Sequence, residues 1–338
     1  MIADAIKAVV EGEDLAASDV EAVMDTILAG DATPAQIAAF VVALRMKGES
    51  PEEIAAAARS LRKCCEAIHP SVDGPLLDTC GTGGDGLQTF NISTAAAIVA
   101  AASGVAVAKH GNRAISSQAG SADVLEALGV RIDLPPHAVR KCIEEVGIGF
   151  LFAPSHHAAM RHAAPVRREL GIRTLFNLLG PLSNPASATH QIVGVFDATR
   201  IEHLASALDT LGLDAAWVVH GEGGLDEVSP SGCTTIAELR EGVVRVFEAT
   251  PEEFGIDRVP LQSLRGGDAS HNAGIIHRVL RGEPGPARAA VVINAAAALC
   301  VCGLAHDPRV GAERAAEAID SGAAARTLER WARYTQGA

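Results

Sequence analysis

The first 66 residues place apolar side chains at helical spacing and show no strand-like alternation. Val20, Val23, Met24 and Ile27 follow Ser18 and stop at Gly30; Ile37, Phe40, Val41 and Leu44 follow Thr33-Pro34 and stop at Gly48. Ser50-Pro51-Glu52-Glu53 is a capping box with proline at the first helical position, feeding Ile54 and Leu61. These signals predict a small helical domain, closed by the unpatterned stretch 69–75 with its two prolines and glycine. Beyond it, short apolar runs alternate with helical ones. Pro75-Leu76-Leu77-Asp78 leads into a glycine-rich turn, Ser93-Thr94 caps an alanine-rich helix, and Val105 to Ala108 is a second strand. Ser121 starts a helix through Val124, Leu125 and Leu128, and Ile148 to Phe152 is a third strand. Gln191 to Phe196, Ala215 to Val219 and Val243 to Phe247 are later strands, and residues 307–336 read as a mixed-charge helix pair. Such alternation implies a larger α/β domain of parallel βαβ units, whose ligands bind beyond the carboxyl ends of strands. The loops after Asp78, Ala108 and Val219 fall there.

Length and charge narrow the function. A chain of 338 residues has room for about two domains. Its net charge of −13 excludes a broad surface for nucleic acid or anionic membrane, but leaves room for a small phosphorylated substrate at a local cationic site. The N-terminal stretch is acidic and lacks a signal-peptide pattern, and the apolar run Ala95 to Ala108 is too short to span a bilayer. The 7 cysteines show no paired Cys-x-x-Cys spacing and read as reduced, buried thiols. A soluble cytoplasmic protein is expected.

Candidate chemistry concentrates in four segments. In Gly81-Thr82-Gly83-Gly84-Asp85-Gly86, glycines let backbone N–H groups approach an anion closely, although a tight structural turn has the same look. The Walker lysine is missing, and a dinucleotide fingerprint would open its helix at once, so ATP and NAD readings lose ground. Asp85 would repel a bare phosphate but suits one carried by a divalent cation or bearing hydroxyls. Lys109-His110-Gly111-Asn112-Arg113, trailed by Ser116, Ser117 and Ser121, combines cations, an amide and hydroxyls as a phosphate clamp would. Asp226-Glu227, in a glycine-rich loop after a strand, is a hard-oxygen pair suited to Mg²⁺ with phosphate ligands, and otherwise a solvated surface pair. Arg161, Arg167, Arg168 and Arg173 against Glu169 mark a basic region able to receive a carboxylate, while His156, His157 and His162 are read as loop and helix-surface residues.

Together these stretches resemble the anthranilate phosphoribosyltransferases. The likeness runs in order through Asp78 to Gly86, Thr89 to Thr94, Lys109 to Ser117, Gly120 to Gly129, Ala164 to Thr174, Phe176 to Leu182 and Asp226 to Pro230. It implies an α/β fold of the nucleoside phosphorylase and phosphoribosyltransferase type: a small all-helical domain, residues 1–70 with a helical insert at about 160–185, and a larger domain, residues 71–159 and 186–338, with a central, mainly parallel sheet. It implies a homodimer through the helical domain and Mg²⁺-dependent transfer of the phosphoribosyl group from 5-phosphoribosyl 1-diphosphate (PRPP) to the anthranilate amine. Carried over by position, Gly81, Gly84 and Asp85 hold the diphosphate, supported by Thr89, Asn91, Ile92, Ser93 and Thr94. Lys109, His110, Gly111, Asn112, Arg113, Ala114, Ile115, Ser116, Ser117 and Ser121 complete the PRPP pocket. Ser93, Asp226 and Glu227 organise Mg²⁺; Gly81, Asn112 and Arg167 contact anthranilate, Arg167 through its carboxylate. Two departures are mild: Ala158 stands where proline commonly follows the histidines, and Gln118-Ala119 replaces a serine-richer stretch. A pyrimidine nucleoside phosphorylase is disfavoured by Arg167 and Asp226-Glu227, and a non-catalytic DNA-binding relative by the acidic charge.

Overall fold

Capping and amphipathic spacing build the helical half largely as expected. In the computed structural model, which describes residues 2–114 and 118–338, α1 (Ile2–Val10), α2 (Ala17–Ala29), α3 (Pro34–Lys47) and α4 (Pro51–Lys63) pack together. Thr33 and Ser50 each accept the backbone N–H three residues on, and Gln36 and Glu53 reach back to complete both boxes. Ser18 does not cap: α2 starts one residue earlier, behind Ala16, which has no side-chain acceptor. Val20, Ile27, Phe40, Leu44 and Ile54 share a core with Val166, Phe176 and Leu179 of the later helices Ala164–Leu170 and Leu175–Leu182. Those two helices thus pack on α3 and α4, far from them in sequence. Glu53 is fully buried yet satisfied, accepting from Leu15 N at 2.9 Å and Lys47 Nζ at 2.8 Å, which ties the bundle's turns together.

The strands are β1 (Leu76–Gly81), β2 (Ala106–Gly111), β3 (Ile148–Phe152), β4 (His190–Gly194), β5 (Ala215–Gly221), β6 (Thr234–Arg240) and β7 (Val243–Ala249). They form one sheet in the order β3-β2-β1-β4-β5-β6-β7. The first five are parallel, and β6 and β7 add an antiparallel hairpin at one edge. Apolar patterning marks only Val243 to Phe247 in that region and misses β6. The turn between them is Glu241-Gly242, both at positive φ (52° and 73°), which matches the twist of a two-residue hairpin without the usual Asn-Gly or Asp-Gly signal.

One further cap shifts: Asn91 precedes α5 (Ile92–Ala102), so Ser93 and Thr94 lie in its first turn, whereas Ser121 starts the helix Ser121–Ala127 as expected. Residues 307–336 do form two helices, Pro308–Asp320 and Ala323–Gly337, and Trp331 of the second is buried against the sheet's main core. Among the described residues no helix is long and apolar enough to cross a membrane, and the cysteines are free thiols, three of them buried. The chain leaves β1 towards β2 and β3 on one side and returns to β4 on the other, so β1 and β4 form the topological switch point, where open α/β sheets bind ligands.

Candidate active site

The glycine-rich turn leaves β1 at that switch point. Gly81 is paired with Gly194, the last residue of β4, and Thr82 N donates to Gly194 O at 2.9 Å. Gly194 has no room for a side chain, and Gly81 has little. A Cβ on Gly194 would sit 1.6 Å from the Asp226 carbonyl oxygen, and one on Gly81 would sit 3.1 Å from Asp226 Oδ2. The close approach brings the loop after β5, with Asp226 and Glu227, against the end of β1.

Beneath the turn lies a buried charge cluster. Asp78 is fully buried and accepts from His110 N at 3.0 Å and Asn184 Nδ2 at 2.7 Å. Lys109, on β2, is only 2% exposed, and its ammonium donates to Thr79 O, to Thr79 Oγ1 at 3.3 Å and to Ser93 Oγ at 3.5 Å. Burial lowers its pKa, opposed by Asp78, Cys80 and Glu227. The lysine expected in the phosphate clamp lies buried under β1 and α5, among Asp78, Thr79 and Ser93.

Glu227 Oε1 accepts the Ser93 N–H at 3.0 Å, so its carboxylate faces the positive end of α5. Burial raises the carboxyl pKa of both acids; the Asp85 charge adds to this at Asp226 and the Asp226 charge at Glu227, where Lys109 opposes it. Asp85 Oδ1 accepts from Leu87 N at 3.0 Å, whereas its buried Oδ2 has no hydrogen-bond partner. Three half-buried carboxyls gathered at one spot suit a divalent cation. Among the described residues no group of three or more His, Cys, Asp or Glu is arranged to hold a metal by itself.

Other predicted positions are more varied. Arg113 is spent on carboxylates, its guanidinium meeting Asp123 Oδ1 at 2.9 Å and Glu126 Oε2 at 2.6 Å. Asp123 Oδ2 also takes the Ala114 and Gly120 N–H groups, and Asn112 Oδ1 accepts from Arg113 N at 2.8 Å. Gly111 packs so closely on Ser121 that a Cβ would lie 2.2 Å from its hydroxyl. Asn91 donates to Ala119 O at 3.1 Å and accepts from Asn272 at 3.0 Å, a partner that no sequence motif marks. Thr89 bridges Arg265, while Ile92 and Thr94 are buried in α5. Ile115, Ser116 and Ser117 lie outside the described residues. A cavity of about 650 Å³ at β6–β7 shares no residue with this cluster, and its arginines Arg240 and Arg245 already pair with Glu238.

The basic region separates into distinct environments. Arg161 and Arg168 are exposed. Arg167 is half-buried, 5.8 Å from the Phe176 ring centroid, and burial disfavours its charge, so its guanidinium suits an anion. Arg173 departs from the others and reaches the glycine turn, donating to Gly83 O at 2.8 Å and Gly84 O at 2.6 Å.

Two of the three histidines differ from the surface placement expected of them, whereas His162 is half-exposed. His156 and His157 are both buried, because the segment is wedged between β3 and the helical half. His157 stands 5.1 Å from His110, whose Nδ1 is 3.1 Å from Gly180 O. Burial first, then neighbouring histidines, lower His110 to about 3 and His157 to about 4. Both rings therefore fold neutral, while the unfolded chain binds protons below its ordinary value of about 6.5. Their stability contribution is full above about pH 7 and drains as pH falls, by about 2 kcal/mol per ring at about pH 5. The site carboxyls, with raised pKa values, act in the opposite sense, so the difference from a variant is the measure. Between pH 8 and pH 5, His157→Gln should lose about 2 kcal/mol less stability than the wild type in urea titrations. Equal losses would contradict a neutral buried His157.

Comparison with known proteins agrees with this geometry. The family model described as the glycosyl transferase family, helical bundle domain, matches residues 3–65, and that of the a/b domain matches residues 73–325. The anthranilate phosphoribosyltransferase of Symbiobacterium thermophilum is 54% identical over 98% of this chain and 96% of its own length. The crystal structure of the anthranilate phosphoribosyltransferase from Thermus thermophilus aligns with a TM-score of 0.93 at 46% identity, covering 98% of this chain and 99% of that one. That of Saccharomyces cerevisiae, in complex with PRPP and Mg, aligns with a TM-score of 0.91 at 29% identity, covering 100% and 98%. With such identity sustained over nearly the whole of both chains, this protein belongs to the anthranilate phosphoribosyltransferase family.

Proposed function

We propose that the transfer of the phosphoribosyl group from PRPP to the anthranilate amine, the step this family performs in tryptophan biosynthesis, takes place at the β1–β4 switch point. Gly81, Gly84 and Asp85 of the turn receive the diphosphate, Thr89, Asn91 to Thr94, Lys109 to Ser117 and Ser121 receive the phosphoribosyl part, and Arg167 with Asn112 and Gly81 receives anthranilate. The observation that carries this reading is the convergence of the half-buried Asp85, Asp226 and Glu227 at the end of β1, where Gly81 and Gly194 let the loop after β5 approach; the raised carboxyl pKa values of Asp226 and Glu227 support a cation-binding site there. Residues 1–70 and the insert 160–185 form the helical wall of the cleft, supported by their shared apolar core. A homodimer through that wall is supported by exposed Val10 and Met46, and a cytoplasmic setting by the free thiols.

Breaking the bond from the anomeric carbon to diphosphate leaves positive charge on the ribose and negative charge on the departing group. Ser93, Asp226 and Glu227 would hold Mg²⁺, which would supply positive charge to that leaving group. The turn's amides add fixed donors, and Lys109 adds a buried positive field from beneath. Anthranilate's aryl amine is neutral at neutral pH, so attack needs positioning and no strong base beforehand. A site built from glycines, carboxyls and cations, with its histidines held neutral and buried, is consistent with that chemistry.

Arg167→Ala tests the acceptor side. Losing a charge-assisted contact to a carboxylate should raise the KM for anthranilate about 10- to 100-fold, with the KM for PRPP moving less than about threefold. Fluorescence of anthranilate follows its consumption directly. Equal effects on both substrates would remove Arg167 from the carboxylate site.

A further inference from the structure

Arg173 joins three segments distant in sequence. It lies between the helices Ala164–Leu170 and Leu175–Leu182 of the helical wall, donates to the carbonyls of Gly83 and Gly84 in the turn after β1, and lies 3.7 Å from the ring centroid of Phe196, just past β4. A guanidinium on an aromatic face gains cation–π attraction, and the planar fork suits two adjacent carbonyl acceptors. Asp226 and Asp85 offset the burial that disfavours its charge. The fit is tight: a Cβ on Gly84, which has φ of 80°, would lie 1.1 Å from Arg173 Nη2.

The consequence for the turn follows from peptide geometry. In a trans planar peptide the carbonyl of one residue and the N–H of the next point in opposite directions. With the Gly83 and Gly84 carbonyls held by Arg173, the N–H groups of Gly84 and Asp85 are aimed away from it. Those amides are the donors that an anion in a glycine turn uses.

We propose that Arg173 is a positioning residue for the leaving diphosphate: it fixes the orientation of the Gly84 and Asp85 amides and makes that orientation depend on the seating of the helical wall. The role rests on the assignment of the turn to diphosphate. It predicts an effect on the donor substrate from a residue placed among arginines that otherwise suggest the acceptor.

The test compares the full-length wild type with Arg173→Ala, Arg173→Lys, Phe196→Leu and Gly84→Val by steady-state kinetics and thermal melting. Arg173→Ala should raise the KM for PRPP about 10- to 100-fold, with the anthranilate KM within about threefold and little change in Tm. Arg173→Lys should recover little, since a point charge lacks the fork, and added guanidinium salt should partly restore Arg173→Ala. Phe196→Leu, which leaves the turn untouched, should shift the PRPP KM in the same direction by a smaller factor, so the proposal stays testable if Arg173→Ala folds poorly. An unchanged PRPP KM in both Arg173→Ala and Phe196→Leu would overturn the role, as would parallel changes in both KM values together with a falling Tm. Gly84→Val separates the two levels. If it raises the PRPP KM while the other variants do not, only the role of Arg173 fails; if it too leaves that KM unchanged, the assignment of the turn fails.

Discussion

Converting Asp226 to Asn and Glu227 to Gln should lower kcat at saturating PRPP and anthranilate by about a thousandfold, without unfolding the protein. The two carboxyls sit where burial and neighbouring carboxylate charge raise their pKa, so their ionised forms are costly in the ligand-free protein. Amides of nearly the same shape remove that cost. Asp226→Asn alone should therefore melt no lower than the wild type and, above about pH 7, somewhat higher. Turnover moves the other way, because losing about 4 kcal/mol of charge stabilisation on the departing diphosphate corresponds to about three orders of magnitude. Asp85 remains as a single carboxylate, so the concentration of Mg²⁺ giving half-maximal rate should rise steeply instead of the dependence vanishing. A Mg²⁺ titration of the rate beside a melting curve decides the matter. An unchanged Mg²⁺ midpoint, or a loss of rate that merely follows a loss of folded protein, would refute the metal assignment.

What could be read from the sequence was what short stretches specify by themselves. Thr33-Pro34 and Ser50-Pro51-Glu52-Glu53 are local signals, and both helix starts appear where expected. The turn 81–86 and the pair Asp226-Glu227 stand out because glycines and adjacent carboxylates after strands have a local chemical meaning. Their convergence at the β1–β4 switch point depends on sheet order, which no short stretch contains. Burial is harder still. His156-His157 reads as polar surface, yet the packing of β3 against the helical half encloses it. Arg167 and Arg173 are six positions apart in one basic run, and Gly171, with φ of 62°, ends the first helix so that the chain turns and Arg173 reaches a different partner. Lys109 is legible as a key cation, but not that its donors are taken by Thr79 and Ser93.

That placement of Lys109 leads to the second large effect, expected from Lys109→Met. The ammonium lies beneath the site, only 2% exposed, with Asp78 and Glu227 as the acids whose charge supports it. Removing it leaves the fully buried Asp78 without its counter-charge, a change that typically costs about 3–5 kcal/mol. The rate should fall as well, by about a hundredfold per folded molecule, because Ser93 and Glu227 lose the charge that orients them. The geometry also specifies how that loss combines with a change at Glu227. If Lys109 acted on diphosphate independently, Lys109→Met would lower kcat by the same factor in the wild type and in Glu227→Gln. If it acts through Glu227 and Ser93, as its surroundings indicate, the second loss should be much smaller than the first, and the stability cost should shrink in the same background. Urea midpoints and kcat for the two single variants and the double variant close the cycle. Multiplicative rate losses would mean that Lys109 acts on the departing diphosphate independently of Glu227, whereas coupled losses in both rate and stability would make it the buried charge that holds the metal-binding edge of the site in place.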